Sequence, residues 1–293
     1  MQNYILSCCS PVDLNNKQLN ERNIKCLFYH YFVNDEDFID DMYDSQTPKE
    51  FYDKMRAGGI TKTSQINSQT YYEYFEGLLK ENNVIVHVTL SSGLSGSYNS
   101  ARLALEDIKK NYPNSEIYLV DSLCASSGYG LLVDILADKR DEGLSAKELF
   151  DYAEKIKFNV RLEFCSSDLT YYVRGGRISK SAGFIGNMLK VCPVLNMDEA
   201  GKLVVRKKVM GSRNSLNELF NTMKEKALGG KDYSLKCYIS HSDCLPLATQ
   251  LKNQIESYFE NVVGNVFLYD IGSTIGSHTG PGTVALFFIG EKR

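Results

Sequence analysis

Val84-Ile85-Val86-His87-Val88-Thr89-Leu90-Ser91-Ser92-Gly93-Leu94-Ser95-Gly96-Ser97-Tyr98 is the stretch on which the fold turns. Its first six residues are mostly β-branched and predict a buried strand. A Ser/Gly run makes a loop, and Tyr98–Asn111 then carries helical spacing. A strand that feeds a helix through a short glycine loop is the building unit of an open α/β sheet. Such sheets bind ligands at the carboxyl ends of their strands. Helix N-termini offer unpaired N–H groups and partial positive charge, glycines let the backbone approach an anion, and serines add hydroxyl donors. Anion binding is therefore one reading of the loop, and a plain capped turn is the other. A Walker A loop is excluded because GKS and GKT are absent, and a nucleophile elbow because no G-x-S-x-G occurs in the chain.

Outward from this stretch, strand and helix alternate. Further strands are predicted at Tyr4–Ser7, Lys25–Val33 and Glu116–Asp121, and a helix at Gly130–Glu142. Thr47-Pro48-Lys49-Glu50 and Ser145-Ala146-Lys147-Glu148 read as capping boxes, the second opening a helix to about Asn159. The order β-α-β-α predicts a mainly parallel sheet flanked by helices. Past about Val160 strands come closer together, at Arg161–Cys165, Val191–Met197 and Leu203–Val209, with a hairpin turn at Asp198–Lys202. Helices at Ser212–Ala227 and Pro246–Phe259 and strands at Leu235–Ser240, Val266–Tyr269 and Val284–Ile289 complete the pattern. The expected architecture is α/β in two domains. Residues 1–160 hold the parallel sheet and the hydroxyl-rich loops, and residues 161–293 form a second α/β domain with a mixed sheet.

A chain of 293 residues with 43% hydrophobic and 24% charged content is an ordinary globular composition. Folded accessible area should be roughly 12,500 Å² at this mass. A net charge of −3 argues against a nucleic-acid partner. Its distribution is uneven, with +6 over residues 161–213 and −4 over residues 1–60. Solvated faces or a docking surface for an acidic or nucleotide-bearing partner would both give this pattern. The longest apolar run, Val284–Ile289, is too short to span a bilayer, and the opening residues lack a basic region and apolar core. A cytoplasmic protein with eight reduced cysteines is expected, with no integral membrane contact. Transient contact with a membrane surface remains compatible with it.

Three more segments carry donors. Thr61-Lys62-Thr63-Ser64-Gln65 follows Gly58-Gly59 and reads as a hydroxyl cluster or as an N-cap with its loop. Ile271–Gly282 reads as a long glycine loop around His278, costly in entropy unless it holds something. Tyr171–Ser179 places Arg174 and Arg177 around a double glycine, suited to an anion or to a structural salt bridge. Cys237, His241 and Cys244 lack an evident fourth ligand, so no metal site is expected.

Four of these segments, in order, resemble the DegV family of bacterial lipid-binding proteins. Thr63-Ser64-Gln65 resembles its TSQ motif and Ser91–Ala101 its serine/glycine loop. Arg174–Ser179 (RGGRIS) and Ile275–Gly282 (IGSHTGPG) resemble its two C-terminal signatures. The likeness covers nearly the whole chain. It implies a protein that holds one long-chain fatty acid, such as palmitate, between two domains, with no cofactor. It also implies service as the non-catalytic, lipid-carrying subunit of a fatty acid kinase, whose separate ATP-binding subunit makes the acyl-phosphate. By motif position the carboxylate ligands correspond to Thr63 and Ser95. Ser64, Ser92, the Gly96 N–H, His278 and Thr279 would be their neighbours, with Arg174 and Arg177 near the pocket or the kinase-docking face. The family's Asp-Ser-Thr-like opening is matched here by Cys9-Ser10-Pro11, so the usual acid is replaced by Cys9.

The chemistry of a fatty acid agrees with this arrangement. Burying ~14 methylenes at ~0.8 kcal/mol each gives about 11 kcal/mol before binding entropy is subtracted, so the tail supplies affinity and the head fixes orientation. Phe184, Ile185, Met188 and Leu189 are candidate tail walls, or ordinary core. Two alternatives remain: a stand-alone serine hydrolase or phosphotransferase using Ser95 and His278, and a sensor whose ligand state alters docking on another protein.

Overall fold

A computed structural model describes residues 4–181 and 191–293. Its first sheet has four parallel strands in the order β2-β1-β6-β7: β1 (Ile5–Cys9), β2 (Ile24–Leu27), β6 (Val84–Thr89) and β7 (Glu116–Asp121). The predicted strand over Lys25–Val33 divides in two. Tyr29 donates its N–H to Ser10 Oγ at 3.0 Å and accepts the Asp40 N–H at 2.8 Å, which turns the chain out of the first sheet. The continuation, β3 (His30–Val33), pairs antiparallel with β4 (Glu36–Ile39) and β5 (Thr61–Ser64) in a small second sheet. The Thr63 cluster is thus a strand and not a loop, with Thr63 opposite Tyr31.

The third sheet has six strands, ordered β10-β9-β8-β13-β11-β12: β8 (Val160–Ser166), β9 (Val194–Met197), β10 (Leu203–Lys207), β11 (Cys237–His241), β12 (Val266–Asp270) and β13 (Thr283–Ile289). It is mixed as expected, since only β11 and β12 are parallel and the other pairs are antiparallel. The predicted hairpin closes through the Asp198 N–H to Lys202 O bond of 2.9 Å.

Helices α1 (Asn16–Glu21), α2 (Pro48–Arg56), α3 (Ser68–Leu79), α4 (Ser97–Asn111), α5 (Ser126–Asp141) and α6 (Ala146–Ile156) belong to the N-terminal half. Both predicted capping boxes form, at Thr47–Glu50 and Ser145–Glu148. Helices α3 and α4 pack together, while α6 lies against β6 and β7. Helix α5 packs on α6 and also on β8, β11 and β13, which makes it the wedge between the two large sheets. That position explains its burial, which covers nearly every side rather than one stripe. The C-terminal half adds α7 (Thr170–Arg174), α8 (Ser212–Lys226), α9 (Leu245–Tyr258) and α10 (Ser273–Thr279). The accessible area of 12802 Å² agrees with the expectation from mass.

Helix α10 replaces the glycine loop expected at Ile271–Gly282. Gly, Ser, Thr and His are poor helix formers, so nothing in the segment itself announces a helix. Tertiary bonds hold it instead. Tyr43 and Tyr52 donate their hydroxyls to Ile271 O at 2.7 and 2.8 Å, and the Thr274 N–H donates to Asp40 Oδ2 at 3.2 Å. A side chain at Gly276 would meet Tyr52 Oη at 2.6 Å, so only glycine lets the helix settle on α2. Among the described residues no helix is long and apolar enough to cross a membrane. All eight cysteines are free thiols.

Candidate functional site

A cavity of about 290 Å³ opens where the three sheets meet. Its apolar floor comes from alternation in two neighbouring strands. Leu162 and Phe164 of β8 and Thr283, Ala285 and Phe287 of β13 all line it, with Ala285 opposite Phe164 and Phe287 opposite Leu162. The intervening residues of β8 face away, where fully buried Glu163 accepts Arg161 at 3.0 Å and Arg206 at 2.7 Å. Leu90, Leu94, Leu203, Ile271 and Ile275 add further apolar wall.

The polar end draws on four distant stretches. Thr63 and Ser64 of β5, Ser95 of the Ser/Gly loop, Arg177 after α7, and His278 and Thr279 of α10 line the same cavity. Thr63 Oγ1 and His278 Nε2 share a hydrogen bond of 2.7 Å. Burial lowers the His278 pKa to about 3, helped by the nearby Arg177 charge, so the ring is neutral at neutral pH. Its Nδ1 has no hydrogen-bond partner among the described residues. A Cβ on Gly175 would run into that nitrogen, which gives the double glycine of Arg174–Arg177 its physical reason. Arg177 donates Nε and Nη2 to Leu94 O at 3.2 and 3.1 Å, tying the RGGRIS segment to the Ser/Gly loop. No carboxylate pairs with its guanidinium among the described residues, and burial lowers its pKa.

The Ser/Gly loop is both a capped turn and a wall of the cavity. Ser95 Oγ accepts the Ser97 N–H at 3.2 Å at the start of α4. Ser91 Oγ donates to Gly201 O at 2.8 Å, and a Cβ on Gly93 would lie 2.5 Å from the same oxygen, so the turn of the β9–β10 hairpin rests directly on the loop.

Other expected residues sit elsewhere. Ser92 and Gly96 are exposed and do not line the cavity; the Ser92 N–H donates to Asp121 Oδ1 at 3.1 Å, and Gly96 packs on the Gln65 amide. Arg174 is exposed, its guanidinium 5.6 Å from the centre of the Tyr171 ring. Phe184, Ile185, Met188 and Leu189 lie outside the described residues. Cys9 belongs to the core and not to the cavity lining, its thiol 3.4 Å from Tyr71 Oη and 3.6 Å from His87 Nε2. Among the described residues no group of three or more His, Cys, Asp or Glu is placed to hold a metal ion.

The geometry does not support a serine hydrolase. His278 bonds to Thr63, Ser95 Oγ donates to Ser97 Oγ at 3.0 Å, and among the described residues no carboxylate orients the ring. A nucleophile needs its base within reach and the base held by a third group. Sequence reading missed Tyr29, Leu162, Phe164, Tyr172, Ala285 and Phe287, all of which line the cavity. Alternation along Val160–Ser166, where Leu162 and Phe164 are interleaved with Arg161 and Glu163, was the available signal for two of them, though it could not say which face borders the cavity; Thr283–Ile289 is apolar almost throughout and gives no such signal. Tyr29 carries no such signal.

The sequence profile of the DegV family, described as an uncharacterised protein family, matches residues 10–291. A DegV domain-containing protein of Clostridium perfringens is 34% identical over 293 residues, covering 100% of this chain and 99% of its own. A protein of Thermotoga maritima named fatty acid-binding protein is 31% identical over 248 residues, 82% of this chain and 83% of its own. The crystal structure of the Streptococcus pneumoniae fatty acid kinase B3 protein, loaded with linoleic acid, superposes with a TM-score of 0.85 at 23% identity, over 99% of this chain and 100% of its own. The chain belongs to the DegV family. Its α/β architecture, with one parallel and one mixed sheet, is the fold of that family's solved structures.

Proposed function

We propose that this chain binds one long-chain fatty acid between residues 1–160 and 161–293, read as two domains, and presents the carboxylate to a separate ATP-binding kinase subunit. The observation that carries the lipid reading is the chemistry of one cavity. It joins an apolar floor to a cluster of neutral donors and a guanidinium that, among the described residues, has no acid beside it. A carboxylate with a long tail matches both ends: charge-assisted hydrogen bonds orient the head, and the floor excludes water from the tail. Thr63 and Ser95 are the proposed head-group ligands, with Ser64, His278 and Thr279 around them. Ser92 and Gly96 shape the loop.

The relative named fatty acid-binding protein supports the same ligand class. The kinase role has two supports: the name of the Streptococcus pneumoniae protein, and a basic groove beside the cavity. Arg177, Lys202, Arg206, Lys207 and Lys208 line that groove, which shares Leu94, Arg177 and Leu203 with the cavity. Mass spectrometry of lipid extracted from the purified protein tests the first half, with a stoichiometric free fatty acid expected. An acyl-ester turnover assay should be flat, and acyl-phosphate should form only when a kinase subunit and ATP are added. Protein that purifies without acyl chain and takes none up would overturn the proposal.

A further inference from the structure

Tyr29 lines the cavity with 2% of its surface exposed. Its backbone is anchored on both sides by Ser10 Oγ and the Asp40 N–H, so the ring has a fixed place. Its hydroxyl nevertheless closes no hydrogen bond of ordinary geometry among the described residues, although the Ser97, Ser95 and Tyr71 hydroxyls lie near enough to act on it. Neighbouring hydroxyls are already engaged. Ser95 Oγ donates to Ser97 Oγ at 3.0 Å, Ser97 Oγ accepts the Ile66 N–H at 3.1 Å, and Tyr71 Oη lies 3.4 Å from Cys9 Sγ. An unsatisfied buried hydroxyl costs about 1–3 kcal/mol, and a phenylalanine would avoid that cost. Burial pushes the phenol pKa up, so the group remains a donor. Its need is an acceptor inside the cavity.

We propose that Tyr29 donates its hydroxyl to a carboxylate oxygen of the bound fatty acid, in the same cavity as Ser95, Thr63 and His278. This rests on the lipid-carrier reading and deepens it. An ionised carboxylate offers about four acceptor positions, enough for Tyr29 in addition to Thr63 and Ser95. An alcohol of the same length carries no charge and a single oxygen, so the site is matched to free acids.

The test uses delipidated full-length protein, wild type and Tyr29→Phe, titrated with palmitate and with hexadecan-1-ol by displacement of a fluorescent fatty acid. Loss of one hydrogen bond to a charged group should raise the palmitate Kd about tenfold in the variant, while the alcohol changes by less than about twofold. The ligand-free variant should melt no lower than wild type. Unchanged palmitate affinity overturns the proposal, as does an equal loss for the alcohol, which would mean ring packing. A lower melting temperature of the ligand-free variant also overturns it, since the hydroxyl would then have a protein partner. Wild-type protein that takes up no palmitate refutes the lipid-carrier reading itself.

Discussion

The Thr63 hydroxyl and the His278 imidazole meet at 2.7 Å although 215 residues separate them. One comes from a strand of the small sheet and the other from the last turn of α10, so the polar end exists only when the two halves of the chain are folded together. Ligand binding and the docking of these halves should therefore strengthen each other.

Thr63→Ala and Ser95→Ala should each weaken palmitate binding by roughly 1–3 kcal/mol, the cost of a lost hydrogen bond to a charged group. Isothermal titration is the check. Unchanged affinity in both variants would count against the head-group assignment.

His278 should make stability depend on pH. Its folded pKa, about 3, lies below the ordinary value of 6.5. Between these values the unfolded chain binds the proton and the folded one does not, so stability falls as pH drops below 6.5. The loss is about 1.4 kcal/mol per pH unit. His87, also lowered to about 3 by burial, acts in the same direction. Asp13 and Asp40, raised by burial, act in the opposite one. His278→Gln leaves those three in place. Urea unfolding of ligand-free protein at pH 6.5 and pH 5 should show a shallower loss in the variant, and parallel losses would argue against a neutral buried ring.

Gly175→Ala adds one methyl group at a position with φ −73, an ordinary helical value, so its effect is steric alone. The methyl would displace His278. Overpacking of this kind costs about 1–3 kcal/mol. Palmitate affinity should fall, and a Gly175→Ala protein with wild-type affinity would mean that His278 does not hold the head group.

Ala285→Leu should shorten the preferred acyl chain, because Ala285 lies on the cavity floor opposite Phe164. Each methylene excluded from the cavity forfeits about 0.8 kcal/mol. Competition between laurate and palmitate reads the shift, and an unaltered preference would place the tail elsewhere.

Arg174→Glu should impair acyl-phosphate formation with a kinase subunit more than it impairs lipid binding, since Arg174 is exposed beside the cavity segment. Arg206 is a poorer probe, because it neutralises buried Glu163 and its loss would cost fold stability. Equal loss of binding and phosphorylation in Arg174→Glu would refute a docking role.

Much of this was readable in the sequence where local pattern and tertiary setting agree. Val84–Thr89 is a strand and Ser97–Asn111 a helix, within one residue of expectation, because β-branched density and helical spacing are strong there. Thr63, Ser95, Arg177 and His278 were visible as donors in loosely spaced motifs. The family likeness, and not the spacing, gathered them at one site. Helix α10 was hidden because its stability comes from Tyr43, Tyr52 and Asp40, all more than 200 residues away. Lys25–Val33 looked like one strand because both halves are apolar, while the break depends on bonds from Tyr29 to Ser10 and Asp40. Tyr29 as a lining residue was unreadable for the same reason.

Ser91 grips the backbone of Gly201, so the tip of an edge hairpin and the loop carrying Ser95 move as one piece. An insertion or deletion at Glu199–Ala200 would be transmitted to Ser95 like the short arm of a lever. Lipid preference in this lineage thus has an evolutionary route through a surface turn, with every cavity-lining side chain left as it is.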